Sequence, residues 1–168
     1  MPFLTAAGHT LEYEWIESGG DAADPAKSAL VFLHEGLGSI RQWRDFPLRV
    51  SQATGCPALV YSGYGYGHSD VLVEPRRSVR FMHEEALEAL PAVLAEAGIR
   101  APILVGHSDG ASIALIYAGA GNPVRALALM APHVFVEEIC IRSIEQAKRE
   151  FETTDLAQRL GKYHRDPR

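Results

Sequence analysis

The spacing of apolar and polar residues changes period several times along this 168-residue chain. Residues 11–16 begin as apolar/polar alternation (Leu11, Tyr13 and Trp15 against Glu12 and Glu14), the pattern of a half-exposed strand. Residues 19–27 read as a polar turn. Residues 28–33 contain the unbroken apolar run Ala29 to Leu33, as expected for a strand buried on both faces. Residues 40–53 predict a helix that offers Trp43, Phe46, Leu48 and Val50 to its inner side, with Pro47 as a discordant residue. Residues 56–61 predict a second buried strand, and residues 62–70 a glycine-rich loop. Over residues 79–97, Met82, Leu87, Leu90 and Leu94 recur at helical spacing. Pro91 is expected to kink or divide that helix, and Gly98 to stop it. A short buried strand follows at 102–105, a helix at 109–118 and a strand at 124–130. Residues 136–163 are charged and amphipathic, with a break near Thr153 and Thr154. Such alternation predicts an α/β fold: a mostly parallel sheet with helices on both faces. No internal repeat or low-complexity tract interrupts it.

Composition narrows the classes. Hydrophobic residues make up 47% and charged residues 22%, which fits a globular domain with a real core and not a disordered chain. No window approaches the roughly 20 apolar residues of a spanning helix, so no membrane partner is expected. The start at Met1 lacks the basic-then-apolar pattern of a secretory signal. Cys56 and Cys140 fit no metal or disulfide spacing and read as ordinary thiols. A cytoplasmic location is therefore expected. The net charge of −5, with scattered basic residues, speaks against nucleic acid as a partner.

The strongest chemical signal is Gly106-His107-Ser108-Asp109-Gly110, a G-x-S-x-G pattern. An apolar strand runs into it and a small-residue helix, from Ala111 to Leu115, runs out. In that context Ser108 is the expected nucleophile, on a strained turn at the carboxyl end of the sheet, with the positive end of a helix behind it. The chain carries its own control: Gly67-His68-Ser69-Asp70 repeats four of the five letters but continues with Val71 and lies in a loop, so Ser69 is not expected to react. The second signal is His34-Glu35-Gly36-Leu37-Gly38, directly after a buried strand. Acyl transfer needs two N–H donors on the developing oxyanion. The amides of Gly36 and Asp109 are the expected pair. His34, Glu35 and His107 are expected beside the pocket, and Trp43 either lines it or, preferably, packs in the helix core. No further ligands are spaced to make His34 and Glu35 a metal site, and no cofactor is implied. Gly63, Gly65 and Gly67 do not have dinucleotide-binding spacing, and no helix pattern follows them. Tyr61, Tyr64 and Tyr66 read as loop packing.

Three segments in order, Leu33 to Gly38, Tyr61 to Ser69 and Gly106 to Gly110, resemble the α/β-hydrolase superfamily over roughly residues 3–133. Two departures stand out: Glu35 in place of a first loop glycine, and Tyr61 in place of an aspartate. The resemblance implies a partial α/β-hydrolase fold in residues 1–133 and the start of a helical cap in residues 134–168. It implies a serine hydrolase of esterase type acting on a small carbonyl substrate through Ser108. It also implies that a triad acid and histidine follow later strands, of which this chain shows no pattern. His133, at a strand end, and His164, in a polar tail, are disfavoured as the base. A truncated chain with little or no ester hydrolysis of its own is therefore expected. Strand 124–130 would then be an open apolar edge that invites self-association or a complementing chain. The reading from another class is a non-catalytic α/β module that binds a small ligand or a partner chain.

Overall fold

A computed structural model describes residues 2–18, 28–74 and 76–167. The polar turn expected at 19–27 lies outside the described residues. Six strands form one sheet among the described residues: β1 (Phe3–Ala6), β2 (His9–Ile16), β3 (Leu30–Leu33), β4 (Ala58–Tyr61), β5 (Ile103–His107) and β6 (Ala126–Met130), in the order β1-β2-β4-β3-β5-β6. β3 pairs in parallel with β4 and β5, and β5 with β6; β1 and β2 add an antiparallel flank. The sheet is thus mostly parallel at its centre. Strand β1 was missed in the sequence because four residues, FLTA, carry too short an alternation to stand out.

Period-two geometry divides each central strand between two cores. Val31, Leu33, Leu59, Tyr61 and Leu104 join Leu90, Val93, Ala114 and Tyr117 on one face. Leu30, Phe32, Ala58, Val60 and Val105 join Ile40 and Trp43 on the other. Both faces of β3 and β4 are covered, which is why their sequences are apolar without alternation.

The helix expected over 40–53 is two pieces. A 3₁₀ turn (Ile40–Trp43) ends at Arg44, whose φ is 53°, and α1 (Phe46–Thr54) starts afresh. Pro47 sits in the first turn of α1, where a missing N–H leaves no bond unmade. The helix expected over 79–97 is divided, as Pro91 suggests. α2 (Phe81–Glu84) opens into a π turn (Glu85–Ala89) and continues as α3 (Leu90–Glu96). The wide turn lies immediately before Pro91, whose ring would collide with the preceding turn of a regular helix. α4 (Asp109–Gly119) follows β5. α5 (Glu138–Thr153) and α6 (Leu156–Leu160) break at Thr154, close to the expected position. β6 is the outermost strand on its side and bonds only β5 among the described strands.

Leu104 lies in β5 with no exposed surface. Leu104→Ala is expected to cost about 2–5 kcal/mol in urea unfolding, the usual range for a buried leucine. Leu48→Ala, on the exposed side of α1, should stay within about 0.5 kcal/mol of the parent.

Candidate active site

β5 ends at His107 and α4 begins at Asp109, so Ser108 alone makes the turn between them. Its φ of 52° and ψ of −115° are a strained combination for a residue with a side chain. Such a conformation costs on the order of 1–3 kcal/mol and persists only where its surroundings impose it. They do so here. The Ser108 N–H donates to the Met130 carbonyl at 2.8 Å, continuing the β5–β6 ladder past the strand end. The Ala111 and Ser112 N–H groups donate to the Ser108 carbonyl at 3.0 and 3.1 Å, starting the helix. A Cβ on Gly106 would lie 2.5 Å from the Gly110 carbonyl oxygen and 2.6 Å from the Ala111 nitrogen. A Cβ on Gly110 would fall on the Leu33 carbonyl oxygen. The two glycines therefore let the start of α4 press directly against β3 and β5.

Ser108 opens into a cleft of about 860 Å³. Glu35, Gly36, His107 and Asp109 line the same cleft, so five of the seven residues singled out in the sequence converge. Gly36 sits directly against the start of α4: a Cβ on it would lie 2.6 Å from Asp109 Oδ2. Glu35 Oε2 lies 3.4 Å from His107 Nδ1, which joins the loop after β3 to the end of β5. The opposite wall is apolar and comes from α5 and α6, through Ile139, Ile144, Phe151, Leu156 and Leu160.

Two of the seven stand elsewhere. Trp43 does not line this cleft. It packs edge-on against Phe32 and stacks on Phe46 on the other face of the sheet, at the end of the 3₁₀ turn. Its face of the sheet is set by where the broken 40–54 segment crosses, which spacing alone does not tell. His34 does not line this cleft; with Glu35, Gly36 and Asp109 it lines a smaller pocket of about 30 Å³. Its Nδ1 bonds the Glu35 carbonyl at 2.7 Å and its Nε2 accepts the Gly63 N–H at 3.1 Å. Only the neutral Nδ1–H form satisfies both, and burial holds its pKa below the ordinary 6.5.

The remaining candidates separate cleanly. Ser69 is 1% exposed; its hydroxyl donates to the Ser62 carbonyl and accepts the Glu12 N–H. It is a packing serine. His164 is also tied up: Nδ1 accepts the Gly67 N–H at 3.0 Å and Nε2 meets the Leu37 carbonyl at 3.0 Å. It clamps the C-terminal tail across two loops, and burial lowers its pKa. His133 is different. Its Nε2 lies 2.9 Å from Ser108 Oγ and 3.6 Å from Asp109 Oδ1. Its N–H donates to Ser112 Oγ at 2.8 Å. The sequence offered His133 as a disfavoured candidate base at a strand end. The usable signal is that β6 runs parallel to β5, with His107 opposite Met130, so residues just beyond β6 emerge beside the elbow. Burial raises the pKa of Asp109, opposed by the nearby Arg77 guanidinium and the His133 ring. Among the described residues, no group of three or more His, Cys, Asp or Glu side chains could hold a metal ion, and no helix is long and apolar enough to cross a membrane.

Gly110→Ala is expected to destabilise the chain by at least about 1–3 kcal/mol, the usual cost of overpacking, because its neighbour is backbone that cannot swing aside. Thermal denaturation checks this. The two neutral histidines set a pH dependence. An unfolded histidine takes a proton near 6.5, and His34 and His164 resist it when folded. Their contribution is complete above that value and is lost as pH falls below it. Raised carboxyl pKa values at Glu85 and Asp109 act in the opposite sense, from a start near the carboxylate range. Urea midpoints from pH 8 to pH 5 should therefore fall more steeply for the parent than for His164→Gln, which isolates the histidine contribution.

Comparison with known proteins agrees with this architecture. The family model described as the alpha/beta hydrolase family matches residues 30–167. No curated protein matches the sequence. Among solved structures, one from carboxylesterases of the ammonia-oxidizing thaumarchaeon Nitrososphaera gargenis superposes with a TM-score of 0.72 at 19% identity, covering 94% of this chain and 57% of its own. An enzyme that degrades N-acyl homoserine lactones gives 0.62 at 19%, with 94% and 54% covered. An epoxide hydrolase from Bacillus megaterium gives 0.63 at 20%, with 94% and 48% covered. The chain spans about half the length of these proteins, and at such identities the likeness is one of fold. With the family model matched from β3 through the tail beyond α6, and the strand-turn-helix at Ser108 in place, the chain belongs to the alpha/beta hydrolase family.

Proposed function

We propose that this chain carries the nucleophile half of a serine hydrolase that cleaves small esters or related carbonyl compounds. The observation that carries the reading is the backbone of Ser108: a non-glycine residue held at positive φ, between a strand and a helix, at the floor of the cleft. Strain of this kind concentrates where a side chain must be presented to a ligand. Ser108 Oγ would attack the carbonyl carbon. The amides of Gly36 and Asp109 would take the oxyanion, supported by proximity of Gly36 to the α4 N-terminus. Residues 134–168 would act as the start of a cap. Their apolar side chains over the cleft favour a substrate with a hydrocarbon acyl or alkyl group, with Glu35, His107, Ser143 and Lys148 among the polar contacts. The open edge of β6 would pair with a further strand, from a second copy or from a complementing chain.

An alkyl fluorophosphonate tests the nucleophile. The expected result is one adduct, located on Ser108 by peptide mass spectrometry and absent from Ser108→Ala. An adduct on Ser69 or on another residue, with Ser108 unmodified, would contradict the reading.

A further inference from the structure

The family resemblance places the base after a later strand, yet a histidine already stands at the nucleophile. We infer that His133 is the chain's own general base, forming with Ser108 a dyad that supports acylation without any later segment. The inference rests on the reading of Ser108 as nucleophile. Its geometric basis is independent of that reading. His133 Nε2 lies at hydrogen-bond length from Ser108 Oγ, 2.9 Å. The backbone that carries it is fixed to the elbow's own helix: Ser112 Oγ accepts the His133 N–H at 2.8 Å and lies 3.3 Å from the Ser108 carbonyl oxygen. Ser112 is 3% exposed, so this tie is shielded from water. Ala131, just beyond β6, takes a φ of 51°, which turns the chain back toward α4. His133 itself lines the substrate cleft together with Ser108.

The step balances. With the imidazole proton on Nδ1, Nε2 accepts the Ser108 hydroxyl proton as Oγ bonds to the carbonyl carbon, and the C=O pair moves onto oxygen. When the tetrahedral adduct collapses, the bond to the leaving oxygen breaks, and that oxygen takes the proton from Nε2. The acyl group stays on Ser108, and water repeats the cycle with His133 accepting its proton. The carboxylate near His133 does not complete a triad. Asp109 Oδ1 approaches Nε2, the nitrogen that faces Ser108, at 3.6 Å. It can stabilise the imidazolium once formed but does not hold Nδ1–H toward the productive tautomer. A serine–histidine pair without that orienting acid is slower by about 10⁴-fold in well-studied proteases. The expected activity is therefore a slow acylation at Ser108 in place of none.

The experiment follows the rate of Ser108 phosphonylation by an alkyl fluorophosphonate, by intact mass, in the 168-residue chain and in H133A, H133Q and S108A. Melting curves check that each variant is folded. The parent should label at Ser108, and H133A and H133Q should label at least about 100-fold more slowly, the range for loss of a general base. Free imidazole should restore part of the rate in H133A, which a purely structural role would not allow. Parent and H133 variants labelling at one rate would overturn the inference while leaving Ser108 as nucleophile. So would a parent that labels only when imidazole is added. Failure of Ser108 to label with or without imidazole would overturn both.

Discussion

How closely the first turn of α4 can approach the sheet decides the rest of this site. Gly106 and Gly110 have no side chain where the Ala111 nitrogen and the Leu33 carbonyl stand. That contact leaves one residue, Ser108, to reverse the chain between β5 and α4, and it can do so only at positive φ. The strain, on the order of 1–3 kcal/mol, is balanced by hydrogen bonds on both sides of the turn and by two packed cores that hold β3 and β5 in register. The same approach brings Gly36, which lies just beyond the end of β3, against the Asp109 side chain. The turn at Ser108 and the placement of the Gly36 loop are thus two results of one packing distance.

Around that centre the loops are tied by neutral imidazoles. His34 joins the loop after β3 to the loop after β4, and His164 joins the tail to both. Each ring uses one nitrogen as donor and the other as acceptor, an arrangement that a protonated imidazole loses. The geometry of the cleft and its tolerance of acid are therefore coupled through these two rings.

Much of this was legible in the sequence because the informative patterns are local. The runs at Leu30–Leu33 and Ala58–Tyr61 are apolar at every position, since each strand is covered twice. The elbow was legible because glycine is required at two fixed offsets from the serine, and Ser69 was separable because its copy lacks the second glycine. What escaped depends on adjacency between segments. Trp43 was ambiguous because a 3₁₀ turn and Arg44 at positive φ rotate it relative to one continuous helix. His133 was disfavoured because its position follows from β6 lying next to β5 and from the turn at Ala131, neither of which leaves a periodic trace. The roles of His34 and His164 depend on backbone partners 29, 97 and 127 residues away.

The central claim is that the turn at Ser108, the Gly36 loop and helices α5 and α6 form one site around Ser108. A crystal structure of the chain after reaction with an alkyl phosphonate tests it most directly. The account predicts a phosphonyl oxygen at about 2.7–3.1 Å from the amides of Gly36 and Asp109, with the alkyl chain lying along Ile139, Ile144 and Phe151. A phosphonyl oxygen turned to solvent, with the Gly36 amide directed elsewhere and the alkyl chain off α5, would contradict it.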